Sequence, residues 1–161
     1  MTEESLITPE LKAMVGQETD LPGIEAIDRT SIARYAHAIS DLDPLYLDEE
    51  YAKQTEYGGV VAPPTFLFDL IPASVEVGDD GRDLTRIKLP GYRLARGGNE
   101  YQFFKLVRPG DVVNRKRKII DVYEKESKKV GTMIFVVYDI SYTNQEGELL
   151  GINRETLMFF K

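Results

Sequence analysis

Hydrophobic positions along the chain change period once, near residue 98. Before that point they recur at helical spacing. Thr8 offers a capping hydroxyl, Pro9 stands at a first helical position and Gly16 supplies a stop, which predicts a short helix over 9–15. Residues 23–27 form a candidate brief strand. Ile32, Tyr35, Ala36 and Ile39 fall at i, i+3, i+4 and i+7, one face of a helix that starts from cap candidates at 28–31 and runs through Ser40. A turn at 41–44 ends it. Residues 45–47 read as a short extended piece, and Asp48 caps a second small helix over 49–55 that Gly58 and Gly59 close. The most apolar helix is expected over about 64–75, where Phe66, Leu67, Phe68, Leu70, Ile71 and Val75 leave almost no polar side, so it should be buried. Residues 78–98 are rich in Gly, Asp and Arg without a period and read as a long loop.

After residue 98 the period becomes that of strands. Residues 100–105, 111–124, 130–143 and 149–160 are rich in Val, Ile, Tyr and Phe, with turns at 108–111, 125–129 and 144–147. In the third segment Ile134, Val136, Tyr138, Ile140 and Tyr142 make one wholly apolar face, which needs a large partner; the 64–75 helix is the candidate. The outline is α+β, helices first and then an antiparallel sheet wrapped around a long central helix, in one domain over 1–161.

Composition narrows the chemistry. With 161 residues the chain suits a single domain. It has no cysteine, which removes disulfides, thiolate metal sites and a cysteine nucleophile, and suits a reducing cytosol. One histidine cannot build a two-histidine metal site within one chain, and the sequence carries no phosphate loop, dinucleotide fingerprint or nucleophile elbow, so no metal and no other cofactor is expected. The net charge of −7 argues against nucleic acid as partner. The acidic start at 1–5 is unlike a signal peptide, and the apolar stretch 60–75 is broken by three prolines and Asp69, so the expectation is a cytoplasmic protein with no membrane span. The acidity is uneven: residues 1–98 sum to −9 and residues 99–161 to +2. The one compact basic run is 115–118, where strand alternation puts Arg115 and Arg117 on one face and Lys116 and Lys118 on the other. Its plain reading is a solvated sheet edge; its functional reading is a counter-charge for an anionic ligand or an acidic protein surface.

Residues 35–52, 57–66 and 99–111 together resemble the MaoC-like acyl-thioester dehydratase/hydratase family, in its N-terminal-type (FAS1-like dehydratase) branch, over about 10–160. The resemblance implies a hotdog fold and a homodimer or a heterodimer with a second MaoC-type subunit. It further implies an acyl-CoA or acyl-carrier-protein thioester as substrate. Competent relatives carry Asp-x-Asn-Pro-(aliphatic)-His, whose Asp and His activate water for addition to an enoyl thioester or run the dehydration in reverse. In this chain Asp41 matches the Asp, Asp43 replaces the Asn, Pro44 and Leu45 match, and Tyr46 stands where the His would be.

Two departures shape the expectation. Tyr ionises near 10 and His near 6.5, so Tyr46 is a poor base near neutral pH. His37 lies one helical turn before Asp41, on the other side of the turn from the motif, and is a packed or surface residue in the plain reading. Relatives also carry His-Gly ahead of the central helix; here Pro63-Pro64 stand instead, leaving the Thr65 and Phe66 amides to meet a thioester carbonyl with help from the helix dipole. The candidate site is therefore Asp41 and Tyr46 as the catalytic positions, with Thr65, Phe66, Arg115 and Arg117 for substrate. The leading expectation is a subunit of an (R)-specific enoyl-thioester hydratase/3-hydroxyacyl-thioester dehydratase, paired with a catalytic MaoC-type partner. The alternatives are a non-enzymatic acyl-thioester binding module and a hotdog thioesterase using Asp69, a carboxylate expected to be buried on the central helix. Arg108 and Asp111, in the 108–111 turn, read as structural.

Overall fold

The structure is a computed structural model that describes residues 5–70 and 87–161. Helices α1 (Pro9–Ala13), α2 (Arg29–Ala38), α3 (Pro44–Leu47), α4 (Glu49–Lys53) and α5 (Phe66–Asp69) occupy the first part, with strand β1 (Glu18–Ile24) between α1 and α2. Strands β2 (Arg93–Phe103), β3 (Val113–Ser127), β4 (Gly131–Thr143) and β5 (Leu149–Phe160) follow. They form one five-stranded antiparallel sheet in the order β1-β3-β4-β5-β2. The β3–β4–β5 meander and the apolar face of β4 are as the alternation predicts. None of the described helices is long and apolar enough to cross a membrane.

Four local expectations are corrected. The first strand is Glu18–Ile24, ahead of 23–27, because charge rather than apolar alternation pairs it with β3. Lys116 Nζ lies 3.4 Å from Glu18 Oε2 and 3.8 Å from Asp20 Oδ1, and Lys118 Nζ lies 3.4 Å from Glu18 Oε1. Residues 45–47 are helical: Asp43 Oδ1 accepts the Leu45 N–H at 2.8 Å and Pro44 sits at the first helical position, which together nucleate a turn. The expected 78–98 loop ends early, since β2 begins at Arg93; its residues 78–86 lie outside the described residues. Glycines hid that strand. Gly97 sits at a register shift against β5, and a Cβ there would meet Met158 and Thr156 atoms at 3.1 Å. Finally, of the expected 64–75 helix the described residues are helical over Phe66–Asp69, and Leu70 has ψ 120° and leaves that turn; residues 71–75 lie outside the described residues.

The core divides in two. At one end of the sheet Val113, Ile140, Tyr142 and Leu150 pack with Ile32, Ala52, Phe66 and Leu67. At the other end Ile119, Ile134, Val136, Tyr138, Leu157 and Phe159 pack with Leu11, flanked by Leu6, Met14, Ile87 and Leu94. The apolar face of β4 is thus covered by α5 over one part and by α1 and the approach to β2 over the other. Helix α5 reaches the sheet at Gly151, where a Cβ would stand 2.8 Å from Leu67 Cδ2, 2.9 Å from Phe68 Cζ and 3.0 Å from Gln102 O. Beside that seat Phe68 stacks on Tyr101 with ring centroids 4.5 Å apart and meets Phe103 and Tyr142 edge-on at 5.3 and 5.2 Å. Gly151→Ala should push α5 off the sheet and destabilise the fold by about 1–3 kcal/mol, the usual cost of overpacking; urea unfolding measures it, and an unchanged midpoint would contradict the seat.

Candidate functional site

The motif turn begins where α2 ends. The Asp41 N–H donates to Ala36 O at 3.0 Å and the Ser40 N–H to His37 O at 3.1 Å, the paired bonds of a Schellman stop. That stop places Ser40 at φ 60°, a left-handed conformation usually left to glycine. Asp41 emerges from it exposed to solvent. Asp43 is occupied in capping α3, and Asp48 in capping α4 through the Glu50 and Tyr51 amides at 2.9 and 3.1 Å. Tyr46, on α3, is half-buried against the core cluster that contains Phe66. Burial, first, and then the negative charges of Asp41 and Asp43 push its phenol above the ordinary value of 10.0. Both effects disfavour the phenolate, so Tyr46 keeps its proton and can donate a hydrogen bond but not act as a base. His37 is exposed, and no hydrogen bond or ion pair joins it to Asp41 among the described residues.

Thr65 and Phe66 do not behave alike. The Phe66 N–H donates to Pro63 O at 2.9 Å, which corrects the expectation that both amides stand open. The Thr65 N–H has no acceptor among the described residues. With α5 a single turn, the dipole invoked from the sequence has little length to build on. The Thr65 side chain instead joins a small network. The Tyr35 hydroxyl lies 2.5 Å from Asp69 Oδ2 and 2.9 Å from Thr65 Oγ1; its proton goes to the carboxylate, and Thr65 donates to the phenol oxygen. Burial and the Asp69 hydrogen bond raise the Tyr35 ionisation above its usual value. Asp69 is exposed rather than buried, because it sits on the last residue of the one-turn helix, at the rim of the sheet.

The basic run divides as alternation predicts. Lys116 and Lys118 point outward onto the acidic β1, while Arg115 and Arg117 point to the inner face. Arg115 Nε and Nη2 donate to Pro22 O at 3.1 and 2.9 Å. Arg117 is 6% exposed and lies over the Tyr138 ring at 5.2 Å. Neither arginine is part of a compact patch on the outer surface. Both line a cavity of about 150 Å³ between the sheet and α5, together with Asp69, Arg96, Asn153 and Glu155. Sequence reading missed Tyr35, taken as part of an apolar helix face, and Asn153 and Glu155, whose inward positions on β5 are given by the same alternation as Gly151, Leu157 and Phe159. No group of three or more His, Asp or Glu suited to hold a metal occurs among the described residues.

A family profile described as "FAS1-like, dehydratase domain region" matches residues 13–151. A UPF0336 protein of Thermobifida fusca is 32% identical over 108 residues, covering 67% of this chain and 69% of that protein. A probable enoyl-CoA hydratase alpha subunit of Thermomonospora curvata is 25% identical over 94% of this chain, which spans about half, 51%, of that relative. Among solved structures, the C-terminally truncated HadBC (3R-hydroxyacyl-ACP dehydratase) complex of Mycobacterium tuberculosis superposes with a TM-score of 0.67 at 24% identity, covering 90% of this chain and 96% of that one. The shared architecture is the hotdog fold, as the resemblance implied.

The raised tyrosines tie stability to alkaline pH. Burial pushes the Tyr142 phenol up to about 12, beside the shifts at Tyr35 and Tyr46. A neutral phenol favoured by the fold contributes stability that is complete below the unfolded value near 10 and is lost as pH climbs through the folded value. Urea unfolding between pH ~10 and ~12 should therefore show a loss of about 3 kcal/mol from Tyr142 alone, and Tyr142→Phe should flatten the profile. A wild-type profile that is flat across that window would contradict the burial assignment.

Proposed function

Since the chain belongs to the FAS1-like dehydratase family, we propose that it is the non-catalytic subunit of an (R)-specific enoyl-thioester hydratase/3-hydroxyacyl-thioester dehydratase. A MaoC-type partner with an intact Asp/His pair performs the proton transfers. In the hydration direction water oxygen bonds to C3 of the enoyl thioester, the partner's base takes the water proton, and C2 receives a proton. This chain contributes half of the interface and one wall of the acyl site.

One observation carries the reading: Tyr46 occupies the histidine position and is held in its protonated form by burial and by its acidic neighbours. Asp41 retains the motif carboxylate but has no basic partner across the turn among the described residues, and general-base catalysis needs a group that gives up and takes back its proton near the working pH. Thr65, whose amide has no acceptor among the described residues, is the residue suited to face the thioester carbonyl; Phe66 supplies packing. The relatives fit such a division of labour: one is named as an alpha subunit and another was solved as a two-component dehydratase complex.

The test is kinetic. Purified chain alone should leave crotonyl-CoA unchanged, and mixing with the partner should start hydration. Asp41→Asn in the complex should change kcat less than about threefold, whereas loss of the partner's base should cost about 10²–10⁴. Hydration by the chain alone that Asp41→Asn abolishes would contradict the proposal.

A further inference from the structure

A threonine at the head of a helical turn commonly spends its hydroxyl on capping the amides of that turn. Thr65 stands at that position ahead of α5, yet its side chain makes no cap bond. The hydroxyl meets another element instead. Tyr35, on α2, touches the turn at both ends: its oxygen lies 2.9 Å from Thr65 Oγ1 and 2.5 Å from Asp69 Oδ2. Its ring meets Phe66 between them, edge-on at 5.3 Å. The same residue reaches towards the motif turn, since Tyr35 O accepts the Ile39 N–H at 3.0 Å.

The one anion of this trio decides where the protons lie. Asp69 has no other hydrogen-bond or ion-pair partner among the described residues, and a carboxylate only accepts. Tyr35 therefore gives its single proton to Asp69. Its oxygen is left as an acceptor towards Thr65, and Thr65 gives its own proton to Tyr35. The two bonds act on the phenol in opposite senses, as that order requires: after burial, the Asp69 bond raises its ionisation and the Thr65 bond lowers it. An exposed threonine hydroxyl ordinarily turns to donate or to accept. This one has no proton left to offer and can only accept. It is also open to a ligand, since Thr65 and Asp69 are exposed and Asp69 lines the rim of the cavity between the sheet and α5.

We infer that Thr65 Oγ1 recognises a hydroxyl group on the acyl chain, with Tyr35 and Asp69 as positioning residues that fix Thr65 as an acceptor. The inference rests on the acyl-thioester reading, in which Thr65 faces the thioester carbonyl, and it names the substrate form within that reading. Oγ1 is three bonds from the Thr65 nitrogen, a spacing suited to an oxygen on C3, two carbons beyond the carbonyl. A hydroxyl there donates to Oγ1. A keto oxygen on the same carbon sets lone pairs against lone pairs and gives up its bonds to water without replacement.

Calorimetric titration of the full chain tests this with three thioesters of one length: 3-hydroxybutyryl-CoA, 3-oxobutyryl-CoA and butyryl-CoA. Wild type should bind the hydroxy ligand about fivefold tighter than the oxo ligand, the worth of one neutral hydrogen bond. Asp69→Ala is the deciding variant, and because Asp69 is exposed its truncation opens no core. Without the carboxylate, Tyr35 can give its proton to Thr65, and Thr65 can turn its own outward. The ratio should then fall to one or below. Tyr35→Phe frees the Thr65 hydroxyl to rotate and should bring the ratio near one. Each result compares two ligands on one protein, so a general weakening of binding does not produce it. Equal binding of the pair by wild type, or a ratio that Asp69→Ala leaves unchanged, would overturn the inference; binding of butyryl-CoA would leave the thioester reading in place. Binding of none of the three would remove that reading and the inference with it.

Discussion

The close contact of α5 with the sheet at Gly151 is the constraint on which the arrangement depends. Without a side chain at that position, Leu67 and Phe68 come down onto β5 and complete one half of the core. The same contact sets Thr65 at one end of the turn and Asp69 at the other, within reach of the Tyr35 hydroxyl from α2. A single turn of helix therefore links the packing of the sheet, the motif turn that follows α2, and the polar cavity under the rim. The aromatic group of Phe68, Tyr101, Phe103 and Tyr142 holds the turn laterally.

Electrostatics divides the two faces of the sheet differently. On the outer side the opposite charges of β1 and β3 pair at the surface, where each contact is worth little but the set fixes which strand lies beside β3. On the inner side the same basic segment sends Arg115 and Arg117 under the fold, where a charge has consequences. The acidic and basic parts of the chain read from the sequence thus meet at β1 and β3.

Much of this was legible in the residues. The strands after residue 98, the apolar face of β4, the α2 face and the split of the 115–118 run all follow from period alone. The resemblance carried by residues 35–52 and 57–66 gave the fold family. What was not legible had local causes. Glycine at the bulge disguised the start of β2, acidic residues disguised β1, and the cap and proline ahead of Leu45 made a helix where an extended piece was expected. The apolar run 66–70 did not show that Leu70 turns extended after one helical turn. Asp41, on the turn after α2, and Tyr46, on α3, are near enough for the carboxylate to act on the phenol, whereas the neighbourhood of Tyr35, Asn153 and Glu155 is made only by tertiary contacts.

The proposed dependence on a partner rests on Tyr46, a phenol held in its protonated form. Restoring the missing base tests it directly: Tyr46→His in the purified chain, assayed for hydration of an enoyl-CoA in the absence of any partner, across pH. Turnover should appear where wild type has none, rising with pH through a value near that of histidine, about 6.5. A wild-type chain that already turns over at a comparable rate, with no change on introducing the histidine, would contradict the claim.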